Sequence, residues 1–243
     1  MSSSARFDLK GRTVIVTGVG RPGQIGHATA LACAKAGAQL VLCDVNATGV
    51  AERAREFQAQ GLDARPAAGD LTEPDIARLA VETALKYYTR LDAVINLAGG
   101  LTTWGPVDKI TPRDIDRELA INLKTTIVMS QAAVEALAAT RGAIVNVASI
   151  ATIQPQANMA LYTAAKAGIV GFTRGLAAEL APRGVRVNAI APGMVRTPEN
   201  LASAGPDAHY VEMEHITDGL LFLISDAAAA VTGVVLPITH GRP

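Results

Sequence analysis

The chain has 243 residues, 49% of them hydrophobic and 18% charged, and its 22 Lys and Arg balance 22 Asp and Glu. A chain of this length buries about 70–75% of its unfolded surface, so a dominant disordered character is excluded. With no net charge and no basic segment, the electrostatic footprint of a nucleic-acid binder is missing as well. Cys33 and Cys43 sit singly in apolar runs, which argues against a disulfide framework or a thiolate metal site and leads us to expect a reducing cytoplasm. The start, MSSSARFDLKG, lacks the basic and apolar stretches of a secretion signal, and no run of 18 apolar residues follows, so a soluble protein without a membrane partner is expected.

In chain order, short apolar runs at 13–17, 39–44, 91–96, 143–149 and 186–191 read as buried strands. Helical periods fill the stretches between and after them, at 25–36, 50–60, 74–88, 111–139, 161–180 and 214–225. Weaker strands at 64–69 and 234–239 bring the strand count to about seven. Continuous apolar strands joined by helix-length crossovers predict a doubly wound, Rossmann-type α/β fold, a parallel sheet with helices on both faces. With no repeat and no linker, residues 1–243 are expected to form one dinucleotide-binding and catalytic domain. Residues 192–212, with three Pro, two Gly and no period, read as a long functional loop.

The stretch VIVTGVGRPGQIGHATALACAKAG predicts a strand, a Gly-rich turn and a helix start, where backbone N–H groups and the helix dipole can hold a pyrophosphate. Glycines also close ordinary strand-to-helix connections, so context decides. Asp44 ends the next strand 26 residues after Gly18, near the place where a dinucleotide fold needs a carboxylate for the ribose hydroxyls. A carboxylate there would repel a 2′-phosphate, so NAD is expected over NADP; Arg21, able to pair such a phosphate, is the competing signal. A capping carboxylate is the structural alternative for Asp44.

Further along, Tyr162 and Lys166 stand four apart and would share one helix face. Ser149 precedes Tyr162 by 13 residues, at the carboxyl end of a predicted strand, where open α/β sheets bind ligands. Three polar groups would then converge on one substrate.

These motifs, with Asp70-Leu71 after the third strand, NLAG at 96–99, Asn122 in INLKTT, YTAAK at 162–166 and PGMVRTP at 192–198, occur in order along the whole chain. The chain resembles the short-chain dehydrogenase/reductases in their branch of about 250 residues. The resemblance implies an NAD(P)(H)-dependent oxidoreductase interconverting a secondary alcohol and a ketone. Tyr162 would be the general acid/base and Ser149 the donor to the substrate oxygen. Lys166 would favour the phenolate and hold the nicotinamide ribose, and Asn122 would position a relay water. It also implies cofactor contacts at Gly18, Gly20, Arg21, Gly23, Gln24, Ile25, Asp44, Asp70, Leu71, Asn96, Ala98, Gly99, Pro192, Gly193, Val195 and Thr197, beside Tyr162 and Lys166.

Three departures stand out. The Gly-rich turn carries two extra residues, with Gln24 where the family has glycine. Leu97 replaces the commoner second Asn of NLAG. The stretch before HITDGLLFLISD is short, which predicts an open site. His209 and Tyr210 in that stretch are candidates for substrate contact, with solvation as the alternative, and Trp104 for a pocket wall, with core packing as the alternative. The four His share no ligand spacing, so no metal is expected. A homo-oligomer is expected from the resemblance, a tetramer before a dimer, through the helices at 111–139 and 161–180 and the C-terminal tail. The competing reading is a catalytically silent NAD-binding sensor or assembly subunit. A lyase or epimerase using bound NAD is disfavoured, because such relatives usually carry an added C-terminal domain.

Overall fold

The computed structural model describes residues 7–239; the ends of the chain, including Met1, His240 and the last residues of the tail, lie outside the described residues. Seven parallel strands form one sheet: β1 (Thr13–Thr17), β2 (Gln39–Asp44), β3 (Ala64–Ala68), β4 (Ala93–Asn96), β5 (Ala143–Val147), β6 (Arg186–Pro192) and β7 (Val235–Ile238). Their order is β3-β2-β1-β4-β5-β6-β7. The chain reverses direction across the sheet between β1 and β4, which opens a crevice at the carboxyl ends of these strands. Pro237 is tolerated because β7 is an edge strand.

The period-2 alternation of the strands divides the core into two layers. Val14, Val16, Leu40 and Leu42 face α1 (Ile25–Lys35), α2 (Ala47–Ala59) and the last long helix, Met213–Ile224. Ile15, Val41, Val94 and Ile144 face α3 (Pro74–Tyr88), a helix at Thr125–Thr140 and another at Ala160–Leu180. Small residues let these layers approach closely: α1 buries Ala30, Ala32, Cys33 and Ala34. Both cysteines are free and fully buried, and burial raises each thiol to about 12, so neither is a reactive thiolate.

Two sequence expectations are corrected. The single helix expected at 111–139 is α4 (Pro112–Leu119) and α5 (Thr125–Thr140), joined by a π-turn at Ala120–Lys124. Thr125 and Thr126 donate their hydroxyls to the Ile121 and Asn122 carbonyls, stabilising this wider turn. The loop expected at 192–212 contains helix α7 (Pro198–Ala204), capped by the Thr197 hydroxyl, and a one-residue parallel bridge between Val195 and Val211. A Pro at the first helical position and a Thr before it are helix-start signals outweighed at the sequence level by the Pro and Gly content. The remaining long helices are α6 (Ala160–Leu180) and α8 (Met213–Ile224).

Candidate active site

At the cofactor end, β1 runs into the Gly-rich turn and α1. Gly18 has φ of +76°, and a Cβ on Gly26 would lie 2.0 Å from the Gly18 carbonyl oxygen, so the turn closes only with glycine at that contact. The α1 start carries no side-chain cap, and the Ile25 and Gly26 N–H groups find no acceptor among the described residues. An uncapped helix start beside a tight backbone approach fits the phosphates of a dinucleotide. Gln24 is the N-cap residue, in extended conformation. The longer turn is held on its Gly23 side: Gly23 N–H donates to His27 Nδ1 at 3.1 Å, and His27 Nε2 meets Glu56 at 3.1 Å.

Asp44 ends β2 with its carboxylate turned toward this turn, accepting from Gly20 N–H and Asn46 N–H at 2.9 Å each. A Cβ on Gly20 would meet the Asp44 carboxyl carbon at 2.8 Å. Arg21 leads away from it, to Glu199 at the start of α7 at 2.8 Å. The short stretch after β6 therefore spans back to the cofactor turn, where Gly23 lies against the Pro198 ring. Tyr210, a candidate for substrate contact with solvation as the alternative, is buried, its hydroxyl held between the Asn200 and Gly205 carbonyls, so it pins the end of α7. His209 is exposed.

Asp70 is exposed and accepts from Thr72 N–H, while Leu71 is buried in the core. The NLAG turn at the end of β4 is tied to β1, because Leu97 and Ala98 both donate their N–H to the Thr17 hydroxyl at 2.9 Å. Asn96 turns inward: its amide donates to Asn146 Oδ1 at 2.9 Å and Ser130 Oγ at 3.1 Å, and Asn146 in turn donates to Thr173. Its side chain supports the carboxyl end of the sheet from inside, which leaves the backbone of Asn96 to face a cofactor. Gly99 lies against the Asn122 carbonyl oxygen. Pro192 ends β6, Gly193 N–H donates to the Ile238 carbonyl, Val195 is buried, and the Thr197 hydroxyl accepts from Asn200 N–H while its proton stays available.

At the reaction end, Ser149 follows β5 and its Oγ accepts from Ala151 N–H at 3.2 Å, leaving the hydroxyl proton free to donate. Tyr162 and Lys166 occupy one face of α6, with Lys166 Nζ 5.7 Å from the Tyr162 ring centre and bonded to the Val147 carbonyl at 2.9 Å. The three groups expected to converge do so, at the carboxyl end of β5. Burial lowers Lys166 to about 8, partly opposed by the negative charge of Glu118. Burial raises the Tyr162 phenol, the Ser149 hydroxyl lowers it, and Glu118 raises it again.

Asn122 sits in the π-turn with every amide position used: Nδ2 donates to the Gly100 carbonyl at 2.9 Å and to Glu118, and Oδ1 accepts from Gly100 N–H at 3.0 Å. Glu118 is fully buried and escaped the sequence reading, as did Thr102, Thr17 and His27. Its spacing of four from Asn122 carried the signal. Trp104 is 59% exposed, which excludes core packing; it lines a cavity of about 220 Å³ with Thr102, Pro106 and Ile110. The loop that carries it is joined to the one before α6 by Gly105 N–H donating to the Asn158 carbonyl. Among the described residues, no cluster of three or more His, Cys, Asp or Glu is placed to hold a metal, and no helix is long and apolar enough to cross a membrane.

Residues 12–205 match the short chain dehydrogenase family. The chain is 32% identical over 246 residues to a 3-oxoacyl-[acyl-carrier-protein] reductase of Thermotoga maritima, covering 96% of this chain and 98% of that one. It is 34% identical to a D-threitol dehydrogenase of Mycolicibacterium smegmatis, over 97% of this chain and 94% of the relative. A crystal structure of a 3-oxoacyl-[acyl-carrier protein] reductase with bound NAD from Brucella melitensis superposes with a TM-score of 0.87 at 32% identity, covering 98% of this chain and 94% of that one.

Proposed function

The chain belongs to the short chain dehydrogenase family of oxidoreductases, and from that premise we propose that it interconverts a secondary alcohol and a ketone using NAD(H), with Tyr162 as general acid/base. The observation that carries this reading is the convergence of Ser149, Tyr162 and Lys166 at the carboxyl end of β5, beside the crevice of the sheet. In oxidation, the Tyr162 phenolate takes the hydroxyl proton of the alcohol while Ser149 donates a hydrogen bond to the same oxygen and stabilises its alkoxide character. A bound nicotinamide would supply the hydride acceptor for the carbinol carbon. Lys166, held by the Val147 carbonyl, would orient the nicotinamide ribose. In reduction the proton returns from the Tyr162 phenol to the carbonyl oxygen.

The residues fit the cofactor through backbone and side chain alike. The N–H groups at the start of α1, Ile25 among them, and the turn from Gly18 through Gly20, Arg21, Gly23 and Gln24 would hold the pyrophosphate. Asp44 would take the adenosine ribose hydroxyls, and Asp70, Leu71, Ala98 and Gly99 would border the adenosine. Pro192, Gly193, Val195 and Thr197 would border the nicotinamide carboxamide. Asp44 bound to the turn, with Arg21 drawn off to Glu199, supports NAD over NADP. The full chain would act as one domain in the cytoplasm, as a homotetramer before a dimer. The exposed face of α6, with Ala164, Ala167, Gly171 and Gly175, supports close helix packing between copies.

Titration of the purified protein with NADH and NADPH, followed by nicotinamide fluorescence, tests the reading together with an alcohol and ketone panel. Tighter NADH binding and turnover abolished by Tyr162→Phe are expected. NADH binding with no turnover across the panel would instead favour a silent sensor, and no binding at millimolar nucleotide would sink both.

A further inference from the structure

Helix α4 carries Ile115 and Leu119 on one face, yet its one buried residue is a glutamate. Glu118 accepts three hydrogen bonds: from the Thr102 hydroxyl at 2.5 Å, from Thr102 N–H at 3.2 Å, and from Asn122 Nδ2 at 3.1 Å. Three donors on two oxygens suit a carboxylate, which has acceptor capacity alone. A charge placed fully out of water is costly unless it is paired and hydrogen-bonded. Thr102 and Asn122 supply the hydrogen bonds, and α4 and the π-turn pack against α6, which carries Lys166, the one buried Lys or Arg among the described residues.

We propose that Glu118 is a positioning residue of the catalytic site: a buried counter-charge for Lys166 that also anchors Asn122 and the loop through Thr102. The inference rests on the oxidoreductase reading for its purpose, and on the geometry above for its existence. The other charged groups around this cluster are disposed elsewhere. Arg113, Asp116, Arg117 and Lys124 are exposed, and Asp114 closes the cap on Thr111. Strand β5 and the turn at Ile150–Thr152 bring no charge to α6. Arg186 of β6 is bound to the Leu223 and Ser225 carbonyls, and Arg183 is paired with Glu135.

The sign of the effect follows from charge. A neighbouring anion stabilises the ammonium of Lys166 and destabilises the phenolate of Tyr162, so it raises the proton affinity of both. Glu118 thereby keeps Lys166 charged despite its burial, at some cost to the phenolate. Glu118→Gln removes the charge and keeps the shape. In that variant the rising and falling limbs of the pH profile for alcohol oxidation, which belong to the coupled Tyr162–Lys166 pair, should both move to lower pH.

Two measurements decide the matter. The first is this pH profile, compared among the unaltered protein, Glu118→Gln, Glu118→Leu and Thr102→Val. The two charge-removing variants are expected to shift both limbs downward, and Thr102→Val, which keeps the charge, to leave them in place. A shift with Thr102→Val equal to that with Glu118→Gln would reduce Glu118 to a loop anchor and overturn the proposal. The second is a spectroscopic titration of the Tyr162 phenolate, isolated by subtracting the Tyr162→Phe background, which needs no substrate. Its midpoint should fall when Glu118 becomes Gln or, where Gln fails to fold, Leu; an unchanged midpoint overturns the proposal. If the unaltered protein turns over nothing while the phenolate midpoint still responds to Glu118, the oxidoreductase reading fails and the electrostatic coupling stands.

Discussion

The cofactor end and the reaction end of this sheet are built by opposite means. Around the Gly-rich turn the fit comes from backbone: a glycine contact between Gly26 and Gly18, free N–H groups at α1, and an exposed ion pair between Arg21 and Glu199. Around Tyr162 it comes from buried polar side chains, Glu118, Asn122 and Lys166, each satisfied by a specific partner. Backbone geometry discriminates by shape and is insensitive to pH, whereas buried charge is tuned by its neighbours. Changes at the first end should therefore show in cofactor binding, and changes at the second in rate and pH dependence.

The sharpest test of that division is Tyr162→Phe, which removes the proposed acid/base and nothing of the turn. Turnover should fall by about 10²–10⁴-fold, with NADH affinity held within about threefold; comparable losses in both would erase the distinction. Next in size is Gly26→Ala. Its Cβ would strike the Gly18 carbonyl oxygen, and relieving that overlap should cost about 1–3 kcal/mol. A lower melting temperature and NADH binding weakened by about tenfold or more are the expected readings.

Asp44→Ala should weaken NADH by about tenfold through loss of charge-assisted hydrogen bonds while leaving NADPH nearly unaffected. A uniform loss for both nucleotides would show that Asp44 serves the turn through Gly20 and not the ribose. The smallest effect belongs to Glu199→Ala. Its pair with Arg21 is more than half exposed at both partners and is worth about 0–1 kcal/mol, so NADH affinity should change by less than about fivefold, with a difference that fades in high salt. A large, salt-independent effect would mean that α7 is held to the turn by this pair and not by Pro198 against Gly23.

Both ends were legible to different depths. The strands announced themselves as apolar runs, and Ser149, Tyr162 and Lys166 stood out because strand end and helix spacing are local properties of the chain. The role of the Asn96 amide was not legible, because a place at a strand end says nothing about which way the side chain turns; the proximity of Asn146 and Ser130, 50 and 34 residues away, decided that. Tyr210 was illegible in the same manner, its hydroxyl being claimed by carbonyls of a helix hidden under Pro and Gly content.

By itself the sequence determined the parallel sheet, the crossover helices, the glycine turn and the face of α6 shared by Tyr162 and Lys166, since each depends on periodicity or spacing within a few tens of residues. Only the tertiary structure decided which charges are buried together. Glu118 lies 48 positions before Lys166 and shares no element with it. The packing of α4 and the π-turn against α6 brings the carboxylate out of water and within electrostatic reach of the lysine. Desolvation is a property of the assembled neighbourhood, and no local pattern of residues encodes it.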